Sequence, residues 1–486
     1  MATVYTLREE KQTAGGMKVL EIKEWVAGKM PDVVEDLKRI CRVKSVAEVK
    51  ETVCPPYGQG CMDVLKEMLL LGEESGFETH NYENYVGRIT YSGKEQENIG
   101  IWAHLDVVEE GNDWDYQPYE PVVKKNYFIA RGCQDNKSSA IIGLYALKYL
   151  KEHNILPNHT MELYLGTCEE QGMYDLDYFL EHYEAPYLSL VPDSGFPVCC
   201  GERGSFNGEL ICEDVCSEEL LGISCDCELY TVPAHVSLTM AYSPDAYEKC
   251  ANLPTDVQVE YVEKEGKLVL TAKGISTQAS NPSKGKNALT VLAKFICERE
   301  LLGEPEQKTF AFIRDINRDY EGSALNVRCE DALSGPTNLV ATRLRISEGH
   351  LVIDFISKYP ITQNDFPFEQ NAAGAAKERG FRLKTTRLSR ANYFNPERRE
   401  VRLLTQASNE VLGREDKPFV MSGGTYARKL PNAFAFGTGM PLPKAPEGLF
   451  RPGHGDYHQP DESISLERIQ KGLEIYIRGL LLIDQE

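Results

Sequence analysis

A set of carboxylates and imidazoles recurs where apolar runs give way to turns: His104 and Asp106, then Asp135, then the adjacent pair Glu169-Glu170, then Asp193, and far downstream His458. Neutral imidazole and carboxylate oxygen are ligands that suit zinc, and manganese or cobalt as well. A carboxylate can bridge two ions through its two oxygens, and a two-ion site acidifies a shared water and clamps the reacting oxygens. A glutamate that is not itself a ligand can take the proton from that water. Glu169-Glu170 offers one ligand and one base, because successive side chains at a strand end point in different directions. Singly these signals are weak: a lone His or Asp at a strand end is more often a cap, and a Glu-Glu pair more often a solvated surface feature. Their combination and order carry the weight. His454 and His458 are spaced i, i+4, but Gly453 and Gly455 predict a loop there rather than a helix.

The elements that must position these residues can be read from periodicity. Helical patterns cover Val19 to Arg42, Cys61 to Ser75, Lys137 to Lys151 and Leu176 to His182. Strands are expected at Tyr85 to Ile89, at Ile99 to Val108 (nearly continuous and so buried on both faces), at Thr160 to Thr167 and at Leu188 to Pro192. This alternation predicts a doubly wound α/β domain. In such a sheet, ligands collect at the carboxyl ends of the strands, where His104, Glu169-Glu170 and Asp193 all fall. From Ser205 to about Tyr359 alternating strands dominate, with helices at Asn287 to Leu301 and Pro367 to Arg379, which describes an inserted α+β domain. The α/β character returns near Tyr393, with a helix at Arg399 to Leu412, a strand at Asn432 to Gly437 and a closing helix at Ser465 to Leu482. The expected division is a split catalytic domain, 1–204 with 390–486, interrupted by a second domain over 205–389.

Composition narrows the partners. At 486 residues the chain is too long for one ordinary core. Its 53 basic and 74 acidic residues give a net charge of −21, which argues against nucleic acid or an anionic membrane as partner. No apolar run approaches the roughly 20 residues of a membrane span. The segment Met1 to Lys18 has charges of both signs and no apolar core, so it does not read as a secretory signal; a cytoplasmic protein is the expectation. Of fourteen cysteines, six lie between Cys199 and Cys227, with no CxxC pair; buried free thiols on strands are expected rather than a thiolate metal site or disulfides.

Several stretches are similar to the M20 metallopeptidase family, most of all its PepV-like dipeptidase branch. They are Ile101 to Val107 (IWAHLDV), Arg131 to Ser139 (RGCQDNKSS), Gly166 to Gly172 (GTCEEQG), Val191 to Gly204 (VPDSGFPVCCGERG), Ser422 to Arg428 (SGGTYAR), Pro431 to Gly437 (PNAFAFG) and His458 to Glu462 (HQPDE). The resemblance implies a zinc-peptidase-like catalytic domain carrying an inserted, ferredoxin-like lid. The lid span is close to twice what one small α+β lid needs, which suggests a duplicated lid. The resemblance further implies two divalent ions, zinc in the first place, with His104 and Asp193 on one, Glu170 and His458 on the other, and Asp135 bridging them beside a cis peptide to Asn136. Asp106 would orient His104 from outside the ligand set, and Glu169 would be the general base.

The lid departs from the family pattern. Gln278 stands where an oxyanion-stabilising histidine is expected, Lys358 replaces the arginine of Arg-Tyr-Pro, and Tyr230 replaces the asparagine of Asn-x-Val-Pro. Gln278 can donate an N–H but has no positive charge; Lys358 keeps a charge but loses the two-point grip of a guanidinium. Arg428 is a further candidate partner for a substrate carboxylate, and His235 is the nearest alternative histidine. The leading expectation is a dipeptidase acting on a small peptide, with the monomer favoured over a dimer. The competing expectations are an N-acyl amino acid deacylase of the same fold and a metal-bound relic that holds a peptide without turning it over.

Overall fold

The computed structural model describes residues 2–50, 56–225, 227–442 and 445–485. The chain separates into two compact units, one formed by Met1–Cys200, Phe394–Phe419 and Gly424–Glu486, the other by Gly201–Tyr393 with Val420–Gly423.

The first unit begins with helices α1 (Ala2–Cys41) and α2 (Gln59–Glu74), followed by strands β1 (Glu78–Tyr82), β2 (Val86–Tyr91) and β3 (Asn98–His104). A short hairpin of β4 (Val122–Lys124) and β5 (Tyr127–Ile129) precedes helix α3 (Ser138–Glu152), strand β6 (Thr160–Gly166), helix α4 (Tyr174–His182) and strand β7 (Leu188–Val191). The central sheet runs β1-β2-β6-β3-β7 and continues to the strand Ala433–Ala435. From β6 through β3 and β7 to Ala433–Ala435 the pairing is parallel, and β1 and β2 form an antiparallel edge.

Alternation along β3 explains why both faces are covered. Ile99, Ile101 and Ala103 join the core that α1, α3 and the closing helix Leu466–Ile483 complete. Trp102, on the opposite face, stacks on Tyr164 at 4.2 Å between ring centres and meets Phe179 of α4 edge-on. A strand buried on both faces reads as a continuous apolar run, as the parallel strands here do. β3 is shorter than its apolar run: it stops at His104, opposite the last residue of β6, Gly166, so the ladder has no partner further on. Val107 forms only an isolated bridge to Val46. Lys137, fully buried, donates from Nζ to the carbonyls of Ile40 and Val43 at 3.0 Å, satisfying the end of α1.

The second unit contains two four-stranded antiparallel sheets. One has the order Asn338–Ser347, His350–Tyr359, Gly204–Val215, Phe381–Ser389; the other has Leu220–Ser224, His235–Ala241, Lys267–Lys273, Val257–Val262. Helices Ala288–Arg299, Glu306–Ile316 and Phe368–Glu378 supply the rest of its core. Two helices, Pro244–Lys249 and Glu306–Ile316, are absent from the sequence reading. Not all the clustered cysteines are strand thiols. Cys199, Cys200 and Cys212 are buried on strands, whereas Cys216, Cys225 and Cys227 are half-buried and lie just beyond strand ends. Asp226 lies outside the described residues.

Candidate metal centre

The carboxyl ends of β3, β6 and β7 bring the sequence set together. His104 closes β3 and sits in register with Gly166, the last residue of β6, two residues before the turn that carries Glu169 and Glu170 begins at Cys168. Gly166 is required by its surroundings: a side chain there would run into the Tyr426 hydroxyl and the Asp175 carboxylate. Asp193 follows β7 by two residues, and Asp135 lies in the turn Cys133–Lys137 that leads into α3. His458 comes from a loop, as Gly453 and Gly455 predict; all three residues have positive φ. The peptide between Asp135 and Asn136 is cis.

Asp135 stands between the two imidazoles. Its Oδ1 is 3.1 Å from Nε2 of His104 and its Oδ2 is 3.2 Å from Nε2 of His458. The same His458 nitrogen is 3.1 Å from Oε1 of Glu170. One ligand atom from each of His104, Asp135 and Glu170 lies within 4.8 Å of the others, and the same holds for His104, Glu169 and Asp193. His454, by contrast, turns away to Asp461, with Nδ1 2.7 Å from Oδ2.

These donors fit a pair of divalent cations. Nδ1 of His104 is 3.0 Å from the carbonyl oxygen of Asp106. A carbonyl only accepts, so Nδ1 carries the proton and Nε2 is the nitrogen left to face an ion. Electrostatics point the same way. For His104, burial opposes the charged ring, but hydrogen bonds to Asp106 and Asp135 outweigh it and raise the imidazole well above its ordinary value. Hydrogen bonds to Asp135 and Glu170 push His458 up to about 10, against the effect of burial. Burial pushes Glu169 well above the usual carboxylate range; His104 pulls it down, and Asp193, Glu170 and Asp106 add to the rise. Burial also raises Glu170, with His458 opposing. Asp135 is lowered despite its burial by hydrogen bonds to both imidazoles. Carboxylates crowded this closely favour positive charge among them, which divalent cations would supply.

The residues around the set hold it in place. The Asp106 carboxylate accepts the backbone N–H of Glu169 and of Glu170, each at 3.0 Å, and so fixes the turn that bears both side chains. Fully buried Asp175 accepts the preceding N–H groups of Thr167 and Cys168 and the Tyr426 hydroxyl. Asn136 donates from Nδ2 to the Pro192 carbonyl at 2.9 Å and to Oδ1 of Asp193 at 3.0 Å. Asn136, Asp175, Tyr426 and Glu462 escape the sequence reading as site residues. Asn136, Tyr426 and Glu462 lie inside the motifs RGCQDNKSS, SGGTYAR and HQPDE, but Asp175 reads as an ordinary acid in the first turn of a helix.

The substrate-side candidates are placed separately. In the second unit Thr231–Val232 pairs with Thr277–Gln278, which sets the exposed side chains of Tyr230 and Gln278 on one ribbon; the Ala279 N–H bonds the Tyr230 carbonyl at 2.8 Å. Lys358, the penultimate residue of the strand His350–Tyr359, lies opposite Asn338, whose side chain reaches the Ser280 carbonyl, and its Nζ donates to Ser205 Oγ at 2.7 Å. His235 opens its strand opposite Lys273. Arg428, in the first unit, packs its guanidinium over Gly424, where a side chain would collide with it.

Comparison with known proteins supplies the family. The description of peptidase family M20/M25/M40 matches residues 100–481. A putative dipeptidase, YtjP, of Bacillus subtilis (strain 168) is 27% identical over 476 residues, covering 94% of this chain and 98% of that protein. A putative dipeptidase of Staphylococcus epidermidis is 28% identical with the same coverage. Among solved structures, human carnosine dipeptidase 1 superposes with a TM-score of 0.58 at 12% identity, over 96% of this chain and 99% of that one. The dipeptidase Dug1p of Saccharomyces cerevisiae gives 0.57 at 12% identity over the same shares. At such identities the structural likeness speaks for the fold: an α/β catalytic domain with a lid domain. The chain belongs to peptidase family M20/M25/M40 and is a metallopeptidase of that family.

Proposed function

We propose that the chain hydrolyses the amide bond of dipeptides or closely similar small aminoacyl substrates. The observation that carries this reading is the convergence of His104, Asp135, Glu169, Glu170, Asp193 and His458 at the carboxyl ends of the parallel strands. His104 and Asp193 would hold one divalent ion, Glu170 and His458 a second, with Asp135 shared; zinc suits this donor set first, manganese or cobalt next. Bound ions supply an acidified water and polarise the scissile carbonyl. Glu169 takes the proton from the attacking water at its carboxylate and passes it to the departing amine. Asp106 keeps Glu169 and Glu170 apart in role by gripping both backbone amides, while its carbonyl holds the His104 proton on Nδ1.

Tyr230, Gln278, Lys358 and Arg428 are the residues we assign to holding the substrate. Gln278 offers a neutral N–H donor and Lys358 a point charge for a carboxylate. Dipeptides are preferred over N-acyl amino acids as substrates because the relatives matched over nearly their full length are named putative dipeptidases. We take the monomer as the active form. The free cysteines suit a reducing compartment, the cytoplasm, and no helix among the described residues is long and apolar enough to cross a membrane.

The discriminating experiment compares kcat/KM for a dipeptide panel with that for the matching N-acetyl and longer N-acyl amino acids. A preference for the free α-amine supports the dipeptidase reading. A preference for the acylated compounds reassigns the protein as a deacylase. Binding of both without turnover would leave the relic.

A further inference from the structure

Glu462 has no place in the ligand set, yet its carboxylate is among the most enclosed acids in the molecule, at 1% exposure. Oε2 accepts the N–H of Gly132 at 2.9 Å and Nη1 of Arg131 at 2.7 Å. Oε1 accepts the N–H groups of Gln134 at 2.9 Å and of Asp135 itself at 3.1 Å. The Glu462 main-chain carbonyl accepts the Ala130 N–H at 3.0 Å. One residue therefore grips the segment 130–135 through side chain and backbone. Gly132 lets the chain turn its amides inward: its φ is +79°, and a side chain there would lie 2.4 Å from Val107.

What that segment delivers is the shared carboxylate. Asp135 faces both imidazoles, and the next residue, Asn136, grips Asp193. Glu462 is also four residues beyond His458 on the same stretch of chain. Its position thus reaches three members of the set: His458 through the chain, Asp135 through its amide, and Asp193 through Asn136. An added acid beside an already acidic cluster would repel it, but Arg131 offsets the charge locally. That guanidinium is itself held by the carbonyls of Glu109 and Glu110 and lies 5.0 Å from the centre of the Trp114 ring. Charge-assisted hydrogen bonds of this kind are stronger than neutral ones.

We propose that Glu462 is a positioning residue of the metal centre, setting the shared carboxylate Asp135 against His458. This rests on the reading of Asp135 and His458 as ligands. The test is divalent-metal affinity, measured with zinc in competition with a chromophoric chelator, on the full chain. Glu462→Gln places an NH2 group against two of the four donors, and metal affinity is expected to fall about 10- to 100-fold. At zinc levels that saturate the wild type, kcat should fall while KM for a dipeptide stays within about twofold. Glu462→Asp keeps the charge but not the reach. It should show the same loss of affinity, and it carries the test if the Gln variant does not fold.

Asp484→Asn is the comparator for a purely structural role, because Asp484 similarly accepts the N–H groups of Asn158 and His159, away from the ligands. It should lower the melting temperature and leave zinc affinity unchanged. A folded Glu462 variant with wild-type zinc affinity and kcat overturns the proposal, as does an equal loss of affinity in Asp484→Asn. If the wild type takes up no divalent ion, the two-ion reading itself fails; if the wild type binds zinc and Glu462→Gln binds it equally well, only the role of Glu462 falls.

Discussion

Around His104, the carboxylates of the candidate centre are set by partners distant in sequence. Asp106 grips the amides of Glu169 and Glu170, Asn136 grips Asp193, and Glu462 grips the amide of Asp135. On the lid ribbon, Tyr230 and Gln278 are placed by the pairing of two short strands, and their side chains are exposed. The contrast fits the roles proposed for the two regions. Groups that act on a reacting atom must be held to a fraction of an ångström, whereas groups that meet a substrate can wait for it.

The largest effect expected is at Glu169, the proposed base. Glu169→Ala should lower kcat by about 10²- to 10⁴-fold while metal content, measured by elemental analysis, stays at about two ions per chain. Loss of metal instead would mean that Glu169 is a ligand and that its role and that of Glu170 are exchanged.

Proton linkage should come next in size. Hydrogen bonds to Asp135 and Glu170 push His458 up to about 10, and His104 is raised as well. An ion can take Nε2 only after that proton leaves. Acid therefore weakens binding and base strengthens it, and the gain for His458 ends near pH 10. Between pH 8 and pH 6 zinc affinity should fall about tenfold per pH unit for each proton displaced. Calorimetry in buffers of different ionisation enthalpy would show the released protons; binding that releases none contradicts the assignment of the imidazoles.

The lid should respond more weakly. Gln278→His restores a donor that can carry charge and should raise kcat on simple dipeptides by about tenfold, a fraction of what a whole oxyanion donor is worth. No gain in a folded variant would remove Gln278 from the oxyanion position. Smallest of all, Lys358→Arg should lower KM for substrates with a free carboxylate by about two- to threefold, through a two-point grip. An unchanged KM would show that Lys358 serves Ser205 rather than substrate.

The parallel strands and flanking helices of the first unit were legible because burial on both faces leaves long apolar runs, and Arg399–Leu412 appears with the bounds its periodicity predicts. The M20 membership and the α/β-plus-lid fold were legible from motifs. The ends of elements were not. β3 stops at His104 because β6 offers no further partner, and nothing in the run Leu105-Asp106-Val107-Val108 marks that point. Helix Glu306–Ile316 carries apolar residues at 310, 312, 313 and 316, a helical stripe that its neighbours Gly303 and Pro305 disguise as loop. The braces were the least visible part. Glu462 and Asp175 act by accepting backbone N–H groups, and a sequence shows which side chains accept but not which amides are turned toward them.

The most direct test of the account is release of free amino acids from a dipeptide panel by the zinc-loaded protein, with and without a chelator. The expected result is release that the chelator abolishes and that added zinc, manganese or cobalt restores. A folded, metal-loaded protein that cleaves no dipeptide, or one whose cleavage survives removal of the metal, would contradict it.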